Sequence, residues 1–127
     1  MISSLEYKFN HSIDKVKFPD NLKELYLGSK FKHSIDEVKF PHNLKILHLS
    51  SGFNLNIDYL PESLEELKLG PYFSKPIINL PDNIKKLVIF STGCKICKLP
   101  KNLKKLVCNK SLIKSAECEI PDNIIKN

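Results

Sequence analysis

Apolar and polar positions alternate with period two at five short places along the chain: Leu25 and Leu27, Leu47 and Leu49, Leu67 and Leu69, Leu87 and Ile89, Leu106 and Cys108. Alternation of that kind predicts short strands with one buried face. So short a strand cannot bury its face alone, so the copies must stack in parallel, about 4.8 Å apart, into a continuous apolar ladder. Ahead of each strand stands a proline, and Pro19, Pro41, Pro61, Pro81, Pro100 and Pro121 follow one another at intervals of 22, 20, 20, 19 and 21 residues. A period near 20 is the signature of a solenoid. Each proline opens the same phrase: FPDNLKELYLG from Phe18, FPHNLKILHLS from Phe40, LPESLEELKLG from Leu60, LPDNIKKLVIF from Leu80, LPKNLKKLVCN from Leu99 and IPDNIIKN from Ile120.

Proline fits just before a strand, where a missing N–H costs little, and Gly28 and Gly70 suit a sharp exit by tolerating positive φ. Asn21, Asn43, Ser63, Asn83, Asn102 and Asn123 form a polar column beside the prolines, expected to satisfy turn backbone. The second half of each coil carries FNHSI from Phe9, FKHSI from Phe31, FNLNI from Phe53 and FSKPI from Phe73. These Phe and Ile residues should fill the core from the convex side. Val16, Phe18, Val38 and Phe40 alternate as a second short strand would.

The Phe-Asn-x-x-Ile segment followed by the Leu-Pro-x-Ser/Asn-Leu-x-x-Leu-x-Leu-Gly strand resembles the FNIP repeat, a leucine-rich-repeat-like family abundant in social amoebae and in large DNA viruses that infect amoebae. The resemblance runs over nearly the whole chain, specific through Tyr72 and weaker after Pro81. It implies a curved solenoid used for protein–protein interaction, with no catalytic residues. Some members carry an F-box ahead of the repeats. Here the repeats begin by about Leu5, so no F-box is expected. The fold expected is mainly β: one leucine-rich-repeat-like solenoid domain over residues 1–127, of about five to six coils of 19–22 residues, with a parallel sheet on the concave face and little or no α-helix.

A composition of 42% hydrophobic and 27% charged residues is that of a folded globular chain and excludes a disordered tail. The longest apolar run is Leu87 to Phe90, and MISSLEYKFN lacks a signal peptide's basic and apolar regions, so neither membrane span nor secretion is expected. The expected compartment is the cytoplasm, that of the host cell for a viral protein. The net charge is +6 and every basic residue is lysine, which biased codon usage explains as readily as a polyanionic partner. From Lys85 to Lys114 there are nine lysines and no acid, a candidate flank for non-specific binding of nucleic acid or anionic membrane. Sequence-specific readout is not expected, since Arg and Gln are absent.

Cys94, Cys97, Cys108 and Cys118 include a C-x-x-C pair and invite a zinc reading. The repeat frame favours buried thiols instead: Cys108 takes a strand-core position, Cys94 falls one residue past the Phe31, Phe53 and Phe73 column, and Cys97 and Cys118 each precede a proline by three. Those last two are the pair expected to touch, kept reduced in a cytosol. His11, Ser12 and Asp14 recur as His33, Ser34 and Asp36 and read as loop columns, because a catalytic triad converges in space and is not spelled along one segment. Asp14, Asp36 and Asp58 lack the oxygen cage of a calcium loop. Asn10 and Asn109 open glycosylation sequons that stay bare without secretion.

The outward strand positions need not be apolar for folding, so their identity is informative. One column reads Tyr26, His48, Lys68, Val88 and Val107, and the column two residues earlier reads Glu24, Ile46, Glu66, Lys86 and Lys105. Val88, Phe90 and Val107 are expected to form an exposed apolar patch flanked by Lys86 and Lys105, suited to an acidic, partly apolar protein partner. A non-enzymatic binding module without cofactor is the function expected. The ends show no polar caps, and open strand edges invite end-to-end self-association.

Overall fold

The computed structural model describes residues 2–4 and 10–126, so Leu5 and Phe9 lie outside the described residues. Seven strands, β1 Ile2–Ser4, β2 Glu24–Tyr26, β3 Ile46–His48, β4 Glu66–Leu69, β5 Lys86–Ile89, β6 Lys105–Val107 and β7 Ile125–Lys126, form one sheet in sequence order. Every pair is parallel and in repeat register, with Leu25 opposite Leu47, Leu47 opposite Leu67, Leu67 opposite Leu87 and Leu87 opposite Leu106. The chain is a mainly β solenoid, as the alternation and the proline period predict.

Three turns close each regular coil. The Pro19, Pro41, Pro61, Pro81, Pro100 and Pro121 carbonyls each accept from the N–H three residues on, that of Leu22, Leu44, Leu64, Ile84, Leu103 and Ile124. A proline can open such a turn because only its carbonyl is used. A second turn follows the strand, with Phe31, Phe53 and Phe73 donating to Gly28, Ser50 and Gly70. A third joins Val16 to Ile13 and Val38 to Ile35. That third turn displaces the second strand expected over Val16, Phe18, Val38 and Phe40: it leaves two residues before a proline that cannot donate to a ladder, and Val16 is 42% exposed. Among the described residues only an isolated parallel bridge, Ile77 to Ile96, stands on that side.

Strand leucines meet the Phe31, Phe53 and Phe73 side chains and the Ile13, Ile35, Ile57 and Ile77 side chains in one core, all fully or nearly fully buried. Phe31 and Phe53 stack with centroids 6.4 Å apart. Polar side chains stitch coil to coil around this core. Asn43 and Asn83 Nδ2 donate to the carbonyls of Asp20 and Glu62, and Ser63 Oγ donates to that of Leu44 at 2.7 Å. Buried Ser50 and Ser91 donate to the Phe31 and Phe73 carbonyls.

Gly70 is not there for a left-handed backbone, since no described glycine has positive φ. A Cβ on it would lie 2.5 Å from Ser51 Cα and 2.7 Å from the Ser50 carbonyl, so close approach of the preceding coil demands glycine. The sole α-helix among the described residues, α1 Lys110–Ser115, is capped by Asn109 and buries Leu112.

Candidate functional site

The sheet pairs the outward residues as the repeat frame requires: Tyr26 with His48, His48 with Lys68, Lys68 with Val88 and Val88 with Val107. Beside them run Glu24, Ile46, Glu66, Lys86 and Lys105. The face divides into two halves of different chemistry.

Over β2 to β4 the polar groups satisfy one another. Tyr26 Oη donates to Glu24, the Tyr26 and His48 rings meet edge to face at 4.6 Å, and His48 Nε2 donates to Glu66 Oε2 at 2.8 Å. Glu66 also pairs with Lys86 at 3.7 Å. The hydrogen bond to Glu24, burial and the Glu24 and Glu66 charges push the Tyr26 phenol up to about 12. This chain of contacts joins residues from four strands. Its members are visible in sequence as columns, but their pairing needed the diagonal neighbours of the sheet.

Over β5 and β6 the face is cationic and apolar. Phe90 is 52% exposed, and the Lys68 ammonium sits 4.9 Å from its ring centroid, a cation–π contact. On the same face Lys86 pairs with Lys105 and Val88 with half-buried Val107. Val88 does not join the exposed patch: it is only 8% exposed, because Lys68 lies opposite it and runs its stem alongside to reach Phe90. Nor is Phe90 the counterpart of Gly28 and Gly70. Ser91 takes that place, latching the Phe73 carbonyl as Ser50 latches that of Phe31, so Phe90 is an extra residue turned out to solvent.

The lysines from Lys85 to Lys114 do not make one flank. Lys86 and Lys105 lie on the sheet face, Lys95 and Lys98 beside the Ile96 bridge, and Lys110 and Lys114 on α1. Acids from other coils meet three of them: Glu65 lies 3.9 Å from Lys85, Glu66 meets Lys86, and Glu117 lies 3.6 Å from Lys95. Linear charge counting misses these partners because they are about one period away.

The cysteines fall into two neighbouring pairs, Cys97 with Cys118 as their shared column predicts and Cys94 with Cys108, and not into one cluster. Cys94 is buried in the core, while Cys97, Cys108 and Cys118 are half-buried. Glu117, hydrogen-bonded to Cys97, pushes that thiol up, and burial pushes up those of Cys94, Cys108 and Cys118. Among the described residues no three His, Cys, Asp or Glu side chains converge as a metal site would require. Ser12 and Ser34 accept from the N–H of Asp14 and Asp36, turn contacts that explain the recurring His-Ser-x-Asp letters. Asn10 and Asn109 likewise serve the fold, accepting from the Lys32 and Ser111 N–H groups. No helix among the described residues is long and apolar enough to cross a membrane.

The family model of the FNIP Repeat matches the chain three times, over residues 9–52, 33–72 and 53–93, together more than half its length. No curated protein matches it significantly.

Proposed function

The chain belongs to the FNIP repeat family, and from that premise we propose that it is a non-catalytic interaction module that binds a protein partner on the outward, concave face of its sheet. The observation that carries this reading is Phe90, an exposed ring held beside Lys68 at the end of the sheet face. Exposed aromatics ringed by cations favour a partner that is acidic and offers an apolar anchor. Lys68, Lys86 and Lys105 would meet its carboxylates, and Phe90 with Val107 its apolar side chain. Tyr26 and His48, tied to Glu24 and Glu66, would act as a rigid shoulder of the same surface. The reading places the module in the cytoplasm, where reducing conditions keep thiols such as its four cysteines unpaired.

The test is capture from nuclease-treated lysate with tagged wild type and with Phe90→Ser combined with Lys105→Glu, two exposed positions whose change leaves the core intact. The expected result is a protein held by wild type and weakened at least about tenfold by the variant. Equal retention by both, or recovery of only salt-sensitive and nuclease-sensitive material, overturns the reading.

A further inference from the structure

A second surface lies where the chain runs into the proline turns. In two successive coils the proline stands six residues after the buried isoleucine, Ile13 to Pro19 and Ile35 to Pro41. In the next three it stands four after, Ile57 to Pro61, Ile77 to Pro81 and Ile96 to Pro100. Aligned on Asp14, Asp36 and Asp58 and on the prolines, the added pair is Val16-Lys17 in one long coil and Val38-Lys39 in the other. The extra length changes the residue just before the proline. Leu60 and Leu80, in short coils, are buried there, whereas Phe18 and Phe40, in the long ones, are half-buried and packed only in part against the core. Two long coils side by side leave a cavity of about 690 Å³ between their loops. That is room for a small amphipathic molecule.

The lining combines hydrocarbon with a small excess of positive charge. Val16, Phe18, Phe40 and Pro41 supply the apolar part, and Val16 is an apolar side chain left exposed. Lys15, Lys17 and Lys39 line the same space from exposed positions. The five ion pairs among the described residues involve none of these three lysines. Asp14 and Asp20 share the lining, and three lysines against two aspartates leave a surplus of one positive charge with histidine counted neutral. One surplus charge matches a monoanion. A dianion such as a phosphomonoester would overcharge a site that already holds two carboxylates.

We propose that the groove between the two long coils binds a small apolar monocarboxylate, a molecule with a hydrocarbon body and one carboxylate. The body lies against Val16, Phe18, Phe40 and Pro41, where contact removes apolar surface of both ligand and protein from water. The carboxylate stays at the rim with Lys17 and Lys39. Lys17 stands between Val16 and Phe18 in sequence and Lys39 directly before Phe40, so a charged head can meet an ammonium group while its tail meets the rings. None of the lining residues belongs to the sheet, so this site is independent of the partner-binding face and failure of one leaves the other standing.

The experiment is a titration of the isotope-labelled full chain with octanoate, followed by amide NMR, with 1-octanol and acetate as separate arms. Octanoate is expected to shift the Lys17, Lys39, Phe40 and His42 amides saturably. It should bind more tightly than octanol, which lacks the charge, and than acetate, which lacks the hydrocarbon. Lys17→Gln combined with Lys39→Gln should raise the apparent Kd about tenfold, as the loss of charge-assisted contacts predicts, while Lys101→Gln, in the Pro100 turn, leaves it unchanged. Val16→Glu, which sets a carboxylate in the groove, should abolish binding. The two lysine changes, at exposed side chains, decide the question if the glutamate variant does not fold. Absence of saturable shifts, shifts confined to the sheet, octanol or acetate binding as tightly as octanoate, or equal weakening by Lys101→Gln would each overturn the proposal. Acetate binding as tightly, or the Lys101 result, would reduce it to diffuse attraction between a +6 chain and an anion.

Discussion

Tyr26 holds its phenolic proton against Glu24, within reach of a second carboxylate on Glu66. Both charges disfavour the phenolate, so the proton is bound more tightly in the fold than in the open chain. The stabilising contribution is therefore complete below pH 10, the ordinary tyrosine value, and is lost as pH rises through about 12. Ultraviolet titration should show one tyrosine ionising last, and Tyr26→Phe should remove that step. Glu24→Gln should move the step back toward 10, since the largest cause is the hydrogen bond to that carboxylate. A titration in which Glu24→Gln leaves the late step in place would mean that burial alone sets it.

The turn after β4 rests on one missing atom. Gly70→Ala should destabilise the fold by about 1–3 kcal/mol through overpacking against the backbone of Ser50 and Ser51. Gly93→Ala, whose nearest contacts for an added carbon are 3.8 Å and 4.0 Å, should be neutral or slightly stabilising. Urea denaturation of the two variants checks the difference. Strands β2 to β6 were legible because period-two leucines and a proline clock specify both face and register. The core phenylalanines were legible for the same reason. The second strand was misread because Val16 and Val38 alternate correctly with Phe18 and Phe40, yet their backbone N–H groups are spent on turns, which periodicity does not reveal. The candidate face was half legible. Its columns follow from register, but the exposure of Val88 depends on where a long lysine stem lies, and the status of Phe90 depends on which later residue latches the next turn.

At the scale of the whole molecule, stability is passed between neighbours. Every coil-to-coil hydrogen bond described spans roughly one period, so each coil is held by the ones on either side. Leu67, fully buried in the central strand, has leucines opposite it on both sides. Leu67→Ala should cost about 2–5 kcal/mol by leaving a cavity in the ladder, whereas Lys68→Ala should cost no more than about 1 kcal/mol, the worth of its exposed contact with Phe90. Thermal or denaturant melts that rank the two equally would contradict the register. The extra residue at Phe90 shows what this architecture tolerates. The sheet on one side and the Ser91 latch on the other fix where the chain must be, so Phe90 is turned outward, and the coil regains phase by a shorter path from Cys94 to Ile96 than the preceding coil takes from Phe73 to Ile77. A coil of this kind is a spacer that can trade length between its turns. New surface chemistry can be acquired there one codon at a time without rewriting the scaffold that displays it.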